Sequence, residues 1–223
     1  MKRSTVNQII LESIDFFAAM NFVLPPFAFY EIPDWKRAKE NAREIFDLKL
    51  GWDITDFGKG DFRQEGLTLF TLRNGLLQSS KYPKPYAEKI MISDDHQVTP
   101  MHFHWRKMED IIVRSGRLVL ELYLADDKEA LSMDLVTVSI DGIRRTFMPG
   151  EKVILGPGES ICLPQRMYHR FYSENGESLI GEVSQVNDDF SDNRFLEPAG
   201  RFPDIEEDES PRYLLCGDYA KFI

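Results

Sequence analysis

PMHFHWRKMEDIIVRSG, residues 100–116, is the stretch on which the reading of this chain turns. Side chains alternate between the faces of a β-strand, so His102 and His104 project to the same side, about 7 Å apart at roughly 3.3 Å rise per residue. Two imidazoles held in that way suit one metal ion. Arg106 and Lys107 read as a turn, after which Glu109 opens the next strand and can return a carboxylate to the same place, with Gly116 at the turn beyond. A fourth group has to come from elsewhere. His169 follows the Gly- and Pro-punctuated run GPGESICLPQRMYHRFY, far enough along the chain for an excursion of several strands that returns to the same interior. His96, beside Asp94 and Asp95, reads instead as an exposed turn residue. One divalent ion held by His102, His104, Glu109 and His169 is therefore expected. An HxH pair alone arises by chance, so the weight rests on the four residues together in strand context. Three imidazoles and a carboxylate suit manganese, iron, cobalt, nickel or zinc, with positions left open for water or substrate.

From about Gly66 the chain reads as short strands: GLTLFTLRN, AEKIMI, EDIIV, RLVLELY, VTVSI, KVILGP, ESICLP and SLIGEVSQV. VTVSI-DG-IRRTF is a hairpin, because Asp141 and Gly142 accept the positive φ angles of a type I′ turn. Many short strands with Gly, Pro and Asp between them indicate a mainly β protein, a sandwich or a closed jelly-roll barrel. Upstream, Ile9, Ile10, Ser13, Phe16, Phe17 and Met20 recur with the helical period, and Asp34 is expected to cap a second helix through WKRAKENAREIFDLKL. The expected organisation is a helical arm over 1–65 packed on the barrel, a barrel over 66–200 and a tail over 201–223. Within the tail, the acidic stretch Asp204–Glu209 reads as a solvated loop.

At 223 residues and 43% hydrophobic content the chain can bury one sizeable core. Its net charge of −10 argues against nucleic acid, because binding phosphates requires clustered Lys and Arg. No apolar run is long enough for a membrane helix, and polar residues interrupt the N-terminus where a signal peptide would be apolar. Two cysteines, Cys162 and Cys216, form no CxxC pair, which fits a reducing compartment; a cytoplasmic protein is expected.

The spacing HxH, four residues, Glu, six residues, Gly, from His102 to Gly116, resembles the first motif of the cupins, and Gly158, Pro164 and His169 resemble the second. Arg166 and Ser173 stand where that second motif usually has glycine and asparagine. From the N-terminal helix to about Arg201 the chain resembles the D-lyxose isomerase family of cupin sugar isomerases. The segments carrying the resemblance are WDITDFGKGDF, LTLFTLRNG, YPKPYAEKIMI, VTPMHFHWRKMEDII, GESICLP and GEVSQVNDDFSDNRFLEPAGR. The resemblance implies a cupin jelly-roll barrel with an N-terminal helical extension, and manganese-dependent aldose–ketose interconversion, D-lyxose with D-xylulose and D-mannose with D-fructose.

Such a reaction moves a hydrogen between C1 and C2 and needs an acid or base near the metal. Glu182 in SLIGEVSQV is the expected one, on the argument that a partly apolar barrel mouth raises a carboxyl pKa toward neutrality. Lys89 and, below it, Lys107 are expected to polarise a sugar oxygen or donate a proton, Lys107 ranking lower because a turn lysine can point outward. The polar run VNDDFSDNRF offers Asp188, Asp189 and Arg194 for a polyol, and Trp105 offers an apolar face for a sugar ring. A small-molecule sugar and a second copy of the chain, as a homodimer, are the expected partners. Two rival readings share the ligand set: an iron(II) dioxygenase, and a non-enzymatic carbohydrate-binding cupin whose metal is structural. Proton transfer and hydride shift both remain open.

Overall fold

The computed structural model describes all 223 residues. Strands are numbered along the chain. One sheet contains β1 (Gly51–Thr55), β2 (Leu67–Arg73), β3 (Tyr86–Ser93), β5 (Glu109–Ser115), β7 (Val136–Ile140), β8 (Ile143–Phe147), β10 (Ser160–Leu163) and β12 (Ser178–Gln185), in the order β1-β2-β3-β12-β5-β10-β7-β8. The facing sheet contains β4 (His102–Phe103), β6 (Leu118–Leu124), β9 (Lys152–Leu155), β11 (Met167–Ser173) and β13 (Arg194–Phe195), in the order β13-β4-β11-β6-β9. The strands within each sheet pair antiparallel, and the two sheets close as a jelly roll.

Alternation along each strand sorts the core into two layers. Leu69, Met91, Ile111, Val113 and Ile180 point into the barrel and meet Leu120, Leu122, Met167 and Phe171 of the smaller sheet. Their sequence neighbours Phe70, Ile90, Ile92 and Leu179 point outward, where Val6, Ile9, Ile10 and Phe17 of α1 (Arg3–Ala19) cover them together with Trp52 and Ile54. Burying a side chain such as Ile10 stabilises the fold by about 1.5–3 kcal/mol, which is what fixes the helix to the sheet. No helix is long and apolar enough to cross a membrane.

Three local expectations meet the structure differently. The strand β1 lies inside the segment read as helical arm, and all five of its residues are buried. With helix outside and barrel inside there is no solvent face to impose a polar alternation. The second helix is interrupted: α2 (Ile32–Ala38) ends and α3 (Arg43–Asp47) begins after a short break. Glu31 is the N-cap of α2, and Asp34 sits three residues on, accepting the Glu31 N–H at 3.0 Å in a capping box. The acidic stretch is an exposed loop, as read, and in addition straps α1 in place. Glu206 O accepts the Arg3 N–H at 2.8 Å, Asp208 accepts from Ser4 and Glu209 from Asn7, while the Arg3 side chain, fully buried, is gripped by Glu207 and Asp218. The Asp141-Gly142 hairpin forms as read, with φ of 50° and 79° and Ile140 opposite Ile143. Arg166 carries a φ of 60°, so the turn keeps the left-handed backbone of the glycine it replaces.

Candidate metal centre

Both sheets contribute to the site. β4 pairs with β11 so that His102 lies opposite His169, His104 follows at the end of β4, and Glu109 opens β5 in the facing sheet. One ligand nitrogen from each of His102, His104 and His169 lies within 4.8 Å of the other two. A Glu109 carboxylate oxygen stands 3.1 Å from His169 Nε2, and the other 3.5 Å from His104 Nε2. The outer ring nitrogens decide the chemistry. Nδ1 of His102, His104 and His169 faces the backbone oxygens of Pro100, Asp192 and Met167 at 2.8, 2.8 and 3.0 Å. A carbonyl oxygen can only accept, so each Nδ1 carries the proton and each Nε2 turns a lone pair inward. Burial, reinforced by the neighbouring rings, pushes His102 well below its ordinary pKa; burial and then Lys107 push His104 down. Convergent lone pairs beside a carboxylate repel one another unless a cation lies among them, so the donor set fits a divalent ion.

Behind these four donor groups lies a buried cluster of charge. Lys107 Nζ contacts Glu109 at 2.7 Å and Glu182 at 2.9 Å, and Lys89 Nζ reaches Glu182 at 3.2 Å. The register of β3 and β12 places Glu182 directly across from Lys89. Asn187 Oδ1 accepts from both ammonium groups, at 2.7 Å from Lys89 and 3.3 Å from Lys107. Lys107 therefore points inward, only 2% exposed, contrary to its expected place below Lys89. The expected rise in the Glu182 pKa is also reversed: burial pushes the carboxyl up, but Lys107 and Lys89 outweigh it and hold it below the ordinary carboxylate range. Glu109 goes the same way: burial pushes its carboxyl up, but the Lys107 ammonium at 2.7 Å outweighs that and holds it well below the ordinary value. On the other wall Arg201 donates to Asp189 at 3.1 Å and to Asp53 at 2.6 Å, while its Nη1 is buried with no partner. The enclosed space is about 50 Å³, and Asp189 also lines an adjoining cleft of about 600 Å³.

A family model described as D-lyxose isomerase matches residues 1–219. The chain belongs to the D-lyxose isomerase family. It is 53% identical to a D-lyxose/D-mannose isomerase of Serratia proteamaculans over 227 residues, and 50% identical to one of Escherichia coli O157:H7 over 226, covering 100% of both chains in each comparison. Among solved structures, L-ribose isomerase of Cellulomonas parahominis with L-ribose superposes with a TM-score of 0.61 at 16% identity, covering 92% of this chain and 98% of that one. The L-ribose isomerase of Acinetobacter sp. DL28 with L-ribose gives 0.60 at 16% identity and the same coverage. These structural likenesses establish the architecture, a cupin-type barrel, and nothing finer.

In this member of the D-lyxose isomerase family, His102, His104, Glu109, His169, Glu182, Lys89, Lys107 and Asp189 line one cavity. Three residues expected to touch substrate lie elsewhere. Arg194 alternates with Phe195 on β13; Phe195 lines the cavity, and Arg194 turns away to Glu129 at 3.0 Å. Trp105 lies beyond the end of β4, is 37% exposed and donates to Glu129 at 2.8 Å. Asp188 faces the outer cleft and pairs with Arg106 at 3.1 Å. Arg201, Asp53, Asn187 and Asp192 were not singled out by the sequence reading. Their signal is that the family-like segments hold them: WDITDFGKGDF contains Asp53, and GEVSQVNDDFSDNRFLEPAGR contains Asn187, Asp192 and Arg201, the first two within the polar run VNDDFSDNRF. His96 sits in its turn with a side chain 68% exposed.

Proposed function

We propose that this protein is a metal-dependent aldose–ketose isomerase that interconverts D-lyxose and D-xylulose and also takes D-mannose to D-fructose. The observation that carries the reading is the juxtaposition of a metal-ready donor set with a buried carboxylate, Glu182, flanked by two ammonium groups. Membership of the D-lyxose isomerase family and relatives named for both sugars support the substrate class. His102, His104, Glu109 and His169 are the proposed ligands. When bound, a divalent ion, manganese(II) in this reading, supplies Lewis acidity and a template for the sugar oxygens.

The chain's own residues carry the rest. Glu182, held ionised by its lysines, takes the proton from C2 and returns it to C1, while the C2 hydroxyl gives up a proton and O1 gains one, so that C1 ends as a hydroxymethyl group and C2 as the carbonyl. Lys107 lies between two carboxylates that raise its pKa despite burial, so it keeps its proton and acts as a hydrogen-bond donor. Lys89 donates to Glu182 from the other side and steadies its orientation. The unpartnered Arg201 Nη1 offers a donor to a sugar hydroxyl, and Asp189 an acceptor. Asp189 lines both the metal cavity and the larger cleft, and the wall they share is the proposed way in for a sugar. We further place the protein in the cytoplasm as a homodimer. Both cysteines are free, and Met133, Leu135 and Met148 expose apolar surface along one edge of the larger sheet.

The test is ketose formation from D-lyxose and D-mannose by protein stripped with a chelator, before and after manganese(II) is restored. Ketose is expected only after restoration. Absence of ketose from both sugars in the restored protein overturns the reading.

A further inference from the structure

Residues 105–108 leave β4 and precede β5, so their backbone N–H groups lie outside both sheets. Two of them point at one side chain. Asp192, in the loop between β12 and β13 and 2% exposed, accepts the Arg106 N–H on Oδ1 at 2.9 Å and the Lys107 N–H on Oδ2 at 3.0 Å. The backbone oxygen of the same residue accepts His104 Nδ1–H at 2.8 Å. One residue from a distant loop thus grips the connection at three points, two through its carboxylate and one through its main chain. The connection starts at one proposed metal ligand, His104, and carries Lys107, whose ammonium reaches Glu109 and Glu182.

We infer that Asp192 is a positioning residue that sets His104 and Lys107 together, tying the seating of the metal to the placement of the ammonium group beside Glu182. The inference rests on the reading of His102, His104, Glu109 and His169 as a metal centre. The chemistry requires a carboxylate. It is an acceptor at both oxygens, whereas an amide of the same shape presents an NH₂ to one of the two N–H groups. Loss of that grip frees the loop, and the carbonyl that orients the His104 ring moves with it. Asp192 touches neither substrate nor metal; it acts through the ring and the ammonium it holds.

The experiment compares D192N with the unmodified protein and with S191A, a neighbouring change that removes an exposed hydroxyl bonded to Asp188 and Arg106. Manganese(II) affinity is measured by calorimetric titration, and kcat and KM are measured on D-lyxose. D192N is expected to weaken manganese binding and to lower kcat, each by about 10- to 100-fold, the range for groups that orient metal ligands. S191A is expected to change neither. If D192N does not accumulate as folded protein, the same readouts on D192S, which keeps one acceptor, decide the matter. A variant that melts at lower temperature yet keeps its manganese affinity and kcat has lost only a structural contact, and that result overturns the inference while leaving the metal site standing. An unmodified protein that binds no manganese overturns the reading of the site, and the inference with it.

Discussion

Arg3 and Lys107 are both cations whose side chains are almost wholly out of solvent, 0% and 2% exposed, and each is gripped by two carboxylates. They belong to clusters of different kinds. Around Arg3 each polar group has found a partner: the guanidinium donates twice to Glu207 and twice to Asp218, Asp218 also accepts the Leu215 N–H, and Lys221 completes Glu207. Around Lys107 the account stays open. Glu109 faces imidazole lone pairs, and Arg201 Nη1 across the cavity has no partner. Burial and ion pairing are common to both clusters, so neither property marks a functional site. Convergence of unmet bonding capacity does: three imidazoles and the unpartnered Arg201 Nη1 face one cavity, whereas the other unpartnered buried atoms, Trp35 Nε1, Ser173 Oγ and Ser178 Oγ, belong to residues that do not line it.

The contrast is sharpest in E182Q, the largest effect expected. Removing the carboxylate that takes the proton should lower ketose formation from D-lyxose by about 100- to 10,000-fold, while calorimetry still finds manganese bound. A rate near that of the unmodified protein would break the comparison on the side of the site. R3A should do the reverse. Breaking a buried pair costs about 3–5 kcal/mol, and about 3 is expected here because Glu207 keeps Lys221 and water; urea unfolding measures the loss, and kcat per folded molecule should stay unchanged. The smallest effect is in pH. Hydrogen bonding from Arg3 leads the causes that lower the Glu207 pKa from 4.5 to about 2. A lowered folded-state pKa gives stability that is fully present above the unfolded value and is lost as pH falls from about 4.5 toward about 2. The urea midpoint of the unmodified protein should therefore drop between about pH 5 and about pH 3, and that of R3A should drop less.

The convergence of His102, His104 and Glu109 was legible in the sequence because it follows a local rule: alternation puts His102 and His104 on one face, and a turn brings Glu109 back. The same rule, pressed further, would have turned Arg194 away from the cavity, since it is the strand neighbour of Phe195, which lines it. Other features escaped for physical reasons. β1 is buried on both faces and shows no alternation. Arg201 meets Asp53 across 148 positions and Asp192 meets Lys107 across 85, separations at which single charged residues carry no periodic signal. The direction of the Glu182 pKa depends on two lysines facing it at once: the register of β12 against β3 places Lys89, the connection before β5 places Lys107, and spacing alone shows neither. The acidic run Asp204–Glu209 has the composition of a solvated loop, and only contacts to α1 more than two hundred residues away make it a strap.

That strap has a consequence for the nascent chain. Arg3 is synthesised long before Glu207 and Asp218, which seat it from 204 and 215 positions downstream. At roughly 5–20 residues per second, the guanidinium waits on the order of 10 s or more for its carboxylates. Most of the sheet residues that cover the apolar stripe of α1, from Trp52 to Ile92, are made much sooner, so the helix can dock by its greasy face first and have its buried charge seated late.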